Sequence, residues 1–564
     1  MESKLATRAS RRPPPPPQQP PPAAMRSAVW LVGLLVALCF FSLPLFLALS
    51  RSRPKLSDVW HLGITVTARH ENAAAVQPEP PEAPPASRDR LLGGLLSPDV
   101  SESSCLSRYA SSLHRRASRH SPSPYLASRL RKYEALHRKC GPGTLFYKKS
   151  LMQLPSAHSM GLVECRYLLW AAPTSGHIGD RVLSIASAFL YALLTRRVLL
   201  LQLADDMAGL FCEPFPGATW ELPAGGFLPE HVEGLRRGSD RSYGNFIRAA
   251  KKDRSDDDGD PAGVRAETLP SYAYVHLEHD YRQPEQLFFC DDDQTVLGKV
   301  NWLILRSNLY FAPGLFLVPQ FEEELRWMLP ESDTAFHHIG RYLFHPSNEV
   351  WELITRYYTS SMASFGETIG LQITTFAWNP VPFEEYFKQV TACTSQEKIL
   401  PEVHTASAVL HEATAEAATS KAVLVSSEHP EYADKLKSMY HEHATVTGDT
   451  VSVLQPGGAG NHSHNQKAVV EMFLQSYCDV SVVSGWSTVG YVGHGLAGVK
   501  PWLLLAPRNK TAANPPCVQA TSMEPCFHAP PSYDCRANKK GDLGAVLRHV
   551  RHCEDVGDGL KLFD

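Results

Sequence analysis

Neither sign of charge is in excess in this chain of 564 residues, where 55 Lys and Arg stand against 58 Asp and Glu, a net of -3. That balance calls for no polyanion, and nucleic acid is not expected as a partner. Metal frameworks are also missing. The last four cysteines, Cys517, Cys526, Cys535 and Cys553, include no CxxC pair and no HxxxH accompanies them, so their spacing suits disulfides in an oxidising compartment better than zinc. The pairing itself is not readable from spacing. The loop Ser175-Gly176-His177-Ile178-Gly179-Asp180-Arg181 lacks the Gly-Lys-Ser/Thr ending of a P-loop and the third glycine of the dinucleotide fingerprint.

One stretch carries no charge at all. Ala28–Leu49 holds 22 uncharged residues, enough to cross a bilayer as one helix, and Pro44 is tolerable in lipid. The run exceeds the apolar region of a cleaved signal peptide, and no A-x-A-like site follows it. Lys4, Arg8, Arg11, Arg12 and Arg26 precede it, while Arg51, Arg53 and Lys55 follow. This bias makes residues 1–27, with their polyproline run, a cytosolic tail, and it puts the remainder in a lumen. Asn461-His462-Ser463 and Asn509-Lys510-Thr511 are N-glycosylation triplets suited to that side. Residues 50–104, which include QPEPPEAPPAS, read as a flexible stem. The basic tract Leu113–His120 reads as solvated surface. Packed structure is expected from Cys105, in two halves, 105–370 and 371–564.

From Tyr167 the pattern becomes regular: YLLWAA as a strand, PTSGHIGD as a loop, RVLSIASAFLYALLTRR as a helix and VLLLQL as a strand. This is a βαβ unit, with a parallel sheet and the loop at the strand's carboxyl end. A second αβ series starts near Ala422 and includes VVSGWSTVGYVGHGLAGVKPWLLL. The fold expected is α/β, with two Rossmann-like domains facing a cleft and the polar stretch Gly226–Pro270 between them as a surface loop. In the first loop, free N–H groups and the helix dipole favour an anion, Gly176 and Gly179 allow close approach, and Arg181 offers a guanidinium. A plain turn with Asp180 as N-cap fits the spacing equally well. The stretch Ser484–Tyr491 poses the same choice: Ser487 and Thr488 either grip a diphosphate or begin a capped helix packed by Trp486. His337, His338, Arg341 and His345 lie close together without a zinc spacing and read as structural. Asp280 and Asp291, Asp292 and Asp293 read as acceptor binding or loop polarity.

Several long stretches then agree with one family. CGPGTLFYKK, ASAFLYALLTRRVLL, DMAGLFCEPFPGATW, FHHIGRYLFHP, GWSTVGYVGHGLAGVKPWLLL, MEPCFHAPPSYDC and VRHCEDVGDGLKL resemble the plant xyloglucan fucosyltransferase family over about residues 135–564. The resemblance implies a Golgi type II membrane protein with a GT-B-like catalytic region. It implies transfer of L-fucose from GDP-β-L-fucose to the 2-hydroxyl of galactose on a wall glycan such as xyloglucan or arabinogalactan protein, with inversion and with no metal or other cofactor. A second copy or other glycosyltransferases are the protein partners it leaves open. Carried over by motif, Gly179, Asp180 and Arg181 belong to the donor-side loop, Trp486, Ser487 and Thr488 to the nucleotide-binding segment, and Asp555 to the C-terminal part of the site. Gly340 and Arg341 match a segment that is structural or close to the cleft.

Three positions depart from the family pattern. Where the family reads GLGNR, this chain has Asp180 in place of asparagine, a carboxylate that repels a diphosphate unless it is paired, with Arg181 as the partner considered. Where the family reads IQIRVF or IQVRVF, Leu371–Phe376 carries Thr374 in place of an arginine expected to hold the diphosphate. Where it reads KTDNYF, Arg306–Phe311 carries Asn308, which can orient an acceptor hydroxyl but cannot take its proton. The changes fit a divergent transferase or, as the alternative, a catalytically impaired partner or glycan-binding protein.

Overall fold

The computed structural model describes residues 89–564 apart from 116, 157, 159–162, 247–268, 405–418, 457–462, 508, 536, 538 and 544–547. The tail, the apolar run Ala28–Leu49, most of the expected stem and Asn461 lie outside the described residues.

Two parallel sheets form the frame. The first holds β1 (Arg166–Ala171), β2 (Arg197–Gln202), β3 (Tyr272–Leu277) and β4 (Trp302–Ser307) in the order β2-β1-β4-β3. The second holds β5 (Glu367–Ile373), β6 (Ser420–Ser427), β7 (Thr450–Leu454), β8 (Val480–Ser484) and β9 (Trp502–Leu504) in the order β9-β8-β5-β6-β7, with β10 (Cys517–Gln519) antiparallel on the β9 edge. Parallel strands covered on both faces need apolar side chains in both directions, which is why they read as continuous rather than alternating runs. Every residue of β3 and β4 is buried, and Leu168 of β1 sits in register with Leu199 and Leu303 on either side.

Five helices position the site: α1 (Ile178–Thr195), α2 (Ala335–Leu343), α3 (Phe383–Gln396), α4 (His464–Gln475) and α5 (Thr488–Ala497). Fourteen of the 18 residues of α1 are buried, so its apolar surface extends round the helix, as a core helix requires. Its length and composition would also suit a membrane span, but here it lies inside the protein. The helix stops at Arg196, whose left-handed backbone (φ 53°) returns its N–H to the Ala192 carbonyl. Arg197 then starts β2 fully buried, with its guanidinium spent on the carbonyls of Tyr167, Leu297 and Asn301. α1, α2, α4 and α5 pack on one another, and Phe189, Phe336, Met472 and Leu496 belong to one apolar core shared by the two halves. Glycine is required at the α2–α5 contact: a Cβ on Gly495 would lie 2.5 Å from the Phe336 ring. α3 covers the other face of the second sheet through Tyr386 and Val390.

The βαβ unit, the second αβ series and the parallel sheets match the sequence reading. Five expectations change. Leu95 and Leu96 are 1% exposed, so packed structure begins ahead of Cys105, inside the expected stem. Arg115 in the basic tract is buried beneath the Phe473 and Tyr477 rings, where cation–π contact replaces water. The second sheet starts at Glu367, ahead of the expected 371 boundary, and residues 227–232 of the expected loop form a helix that buries Leu228 and Val232. The C-terminal segment, assigned to the second half, returns to the first: Phe527 packs on Phe289, Leu560 and Leu562 join the shared core, and Cys535 is bonded to Cys290. Four further disulfides are Cys105–Cys212, Cys140–Cys165, Cys393–Cys517 and Cys526–Cys553, with Cys478 a buried free thiol.

Candidate active site

In an open parallel sheet the ligand crevice lies beyond the strands' carboxyl ends, where strand order reverses. The first sheet reverses between β1 and β4, and the second between β5 and β8. At the first reversal, Ser175 follows β1 and Asn308 follows β4, and the Asn308 Nδ2 donates to Ser175 Oγ at 3.3 Å. At the second, Thr374 follows β5, its N–H donates to Ser484 Oγ at 2.9 Å, and its Oγ1 lies 3.2 Å from Ser487 Oγ. Each reversal thus holds residues singled out from sequence.

The two reversals meet. A Cβ on Gly179, in the first turn of α1, would fall 2.8 Å from Thr488 C, Thr488 Oγ1 and Val489 N at the start of α5. The N-termini of both helices therefore converge, and their partial positive charges add at one place. Ser487 is the N-cap of α5, its hydroxyl accepting from Gly490 N at 3.4 Å.

Asp180 lies at the third position of α1 and not at the N-cap: its Oδ2 accepts from His177 N at 2.7 Å. Burial raises its carboxyl pKa, opposed by that N–H and by the Thr488 hydroxyl. The feared repulsion is thus met by a backbone dipole and a hydroxyl, and not by Arg181. Arg181 pairs instead with Asp206 Oδ1 at 2.7 Å, and Asp206 also accepts from Asn465 Nδ2 at 2.9 Å. Through Asp206, Arg181 Nη1 joins α1 to α4, while its buried Nε has no hydrogen-bond partner among the described residues.

Trp486 takes a left-handed backbone (φ 69°), rare for a bulky residue and a mark of local constraint. Asp555 imposes it, its Oδ2 accepting from Trp486 N at 2.9 Å and its carbonyl from the indole Nε1 at 2.8 Å. Tyr491 donates to the same carboxylate. Asp555 is thus the support of the Trp486 loop rather than a free ligand group, and the disulfide of Cys526 and Cys553 nearby removes their sulfurs as metal ligands. A shallow, open pocket lies between Thr374, Phe376, Trp378, Tyr386, Trp486 and Pro507, with Trp378 62% exposed. Gln372 Nε2 donates to Thr374 Oγ1 at 2.6 Å.

Asn308 is 6% exposed, and its Oδ1 accepts from both N and Nδ1 of His279 at 3.1 Å. The amide expected to orient an acceptor is committed within the protein. Sequence reasoning did not single out Glu278, His279 or His528. Glu278 and His279 continue β3 past its last pair, Leu277 with Ser307, and the HLEHDY motif was the available signal. Glu278 takes Thr174 N at 2.9 Å and the Thr174 hydroxyl. His528 stands 5.2 Å from the Trp486 ring and 6.0 Å from His279, and burial pushes its pKa down to about 3. His337 is buried between Gly495 O, Ser118 and Arg341, the structural role expected for that group; Asp280 is bound to His276, and Asp291, Asp292 and Asp293 form the first turn of a surface helix. Asn509 is exposed.

Two fused parallel α/β sheets, with strand reversals and helix N-termini turned to one cleft, define a two-lobed scaffold suited to an anionic ligand. The Xyloglucan fucosyltransferase family model matches residues 55–536. The chain is 48% identical over 479 residues to galactoside 2-alpha-L-fucosyltransferase of Arabidopsis thaliana, covering 84% of this chain and 83% of the relative. It is 46% identical over 481 residues to the Pisum sativum protein of that name, covering 84% and 82%. A solved structure of an Arabidopsis thaliana FUT1 mutant in complex with GDP superposes with a TM-score of 0.76 at 48% identity, over 84% of this chain and 100% of that one. The protein belongs to the xyloglucan fucosyltransferase family.

Proposed function

We propose that the protein transfers L-fucose from GDP-β-L-fucose to the 2-hydroxyl of a galactosyl residue on a plant wall glycan, xyloglucan or arabinogalactan protein, with inversion and without a metal. The convergence of α1 and α5 at Gly179 and Thr488 carries this reading. Charge on the departing diphosphate grows in the transition state, and two helix N-termini with the Ser487 and Thr488 hydroxyls stabilise it where it forms. The activity for which the relatives are named supplies the sugar and the linkage. The uncharged run Ala28–Leu49, the flanking charges and the N-glycosylation triplets support a Golgi membrane anchor with the catalytic part in the lumen.

One observation favours a second reading. Thr374 stands where the family pattern has an arginine, and the Nη1 of Arg181 is tied to Asp206, so one expected guanidinium is absent from the diphosphate site and the other is already ion-paired. A protein that binds GDP but transfers nothing would be the impaired partner. Purified protein with GDP-fucose and either glycan separates the cases: fucosylated galactose supports transfer, GDP binding without product supports the partner, and neither refutes both.

A further inference from the structure

An acceptor hydroxyl needs a group to take its proton, and the carboxylates near the cleft are otherwise occupied. Glu278 is 5% exposed and takes the Thr174 N–H and hydroxyl. Asp180 serves the first turn of α1, Asp555 holds the Trp486 loop, and Asp280 is bound to His276 and Arg237. His279 differs from all of these. It is exposed, stands at the carboxyl end of β3, and faces His528 of the opposite wall at 6.0 Å.

Its hydrogen bonds fix its tautomer. The backbone N–H of His279 can only donate, so the Asn308 atom that receives it at 3.1 Å is the amide oxygen. The same oxygen lies 3.1 Å from the His279 Nδ1, so Nδ1 must carry a proton. In the neutral ring, Nε2 is then the bare nitrogen, and it has no hydrogen-bond partner among the described residues. Asn308 cannot accept a proton itself, yet its oxygen is what the ring needs to present a basic Nε2. His528 is kept neutral by burial, so it does not place a competing cation beside the ring.

We propose, resting on the transferase reading above, that His279 is the catalytic base and Asn308 its positioning residue. The acceptor oxygen forms a bond to C1 of fucose as the C1–O bond to the β-phosphate breaks. The bonding pair leaves on GDP, and the hydroxyl proton passes to His279 Nε2. The imidazolium, still donating through Nδ1 to Asn308, then returns its proton to water.

Steady-state kinetics on the full chain with GDP-fucose and xyloglucan or arabinogalactan acceptor test this, with GDP affinity measured alongside. His279→Ala is expected to lower kcat by roughly 10²- to 10⁴-fold, the range for a positioned base, with GDP affinity unchanged and turnover partly restored by free imidazole. Asn308→Leu should lower kcat at unchanged GDP affinity, and Asn308→Asp, whose oxygen still accepts from Nδ1, should turn over faster than Asn308→Leu. His279→Ala turning over like the wild type overturns the proposal. So does a loss of turnover matched by lost GDP affinity and not relieved by imidazole, which assigns the ring a structural role. Wild-type protein that transfers to no acceptor instead refutes the underlying transferase reading.

Discussion

Replacing Gly179 by alanine tests the helix convergence with the smallest possible change. The added Cβ would lie 2.8 Å from Thr488 C, Thr488 Oγ1 and Val489 N, against 3.4 Å for the start of ordinary contact. Two of those atoms are backbone, so a rotamer change cannot relieve the clash. The start of α1 must withdraw from α5 by about half an ångström or more, and overpacking of this kind costs about 1–3 kcal/mol. If that cost falls on the geometry that binds phosphate, GDP affinity drops by about tenfold to a hundredfold, since about 1.4 kcal/mol is one decade. Calorimetric titration of GDP into wild-type, Gly179→Ala and a Gly238→Ala control reads it directly; Gly238 has no atom within 4 Å of its added Cβ. Gly179→Ala protein that is folded by circular dichroism and binds GDP as tightly as wild type refutes the assignment of phosphate to this contact.

Three other outcomes follow from the same geometry. Thr374→Arg gains charged hydrogen bonds to phosphate worth about 1.5–3 kcal/mol, so GDP affinity should rise by about tenfold to a hundredfold, while the stranded Gln372 amide lowers stability by about 1–3 kcal/mol in free and bound protein alike; unchanged affinity would mean that the phosphate lies beyond its reach. Asp555→Ala leaves Trp486 N and Tyr491 OH without their shared acceptor and should cost about 1–3 kcal/mol in a denaturant titration, whereas a change under about 0.5 kcal/mol would remove Asp555 as the support of that loop. Burial raises the Glu524 carboxyl to about 8, so the folded protein keeps a proton that the unfolded chain releases in the ordinary carboxylate range. The stability this gives is complete below that range and is lost as pH rises through 8; Glu524→Gln should flatten the fall in denaturation midpoint between about pH 5 and 8, and an equal slope in both proteins would contradict the raised carboxyl.

The βαβ unit around Gly179 was legible because its signals are local: apolar runs, two glycines and an interruption of the expected length. Thr374 and Asn308 could be found only through family motifs, since a threonine after LQI or an asparagine after LRS has no local mark of a site. Arg115 read as surface because the rings that cover it, Phe473 and Tyr477, lie more than three hundred residues away in sequence. Separations of 188 to 245 residues likewise hid the return of the C-terminal segment, which Cys290–Cys535 and the Glu524 contacts with Tyr310 and Phe336 N make plain. Asp180 and Arg181 are adjacent in sequence, which suggested that they pair. On a helix, neighbours point about a hundred degrees apart, and each found its partner on a different element.

The most direct measurement is a crystal structure of this protein soaked with GDP. A β-phosphate is expected within hydrogen-bond distance of the backbone N–H groups or hydroxyls of Ser487 and Thr488, at the Gly179 contact between α1 and α5. Diphosphate bound away from both helix N-termini would contradict this.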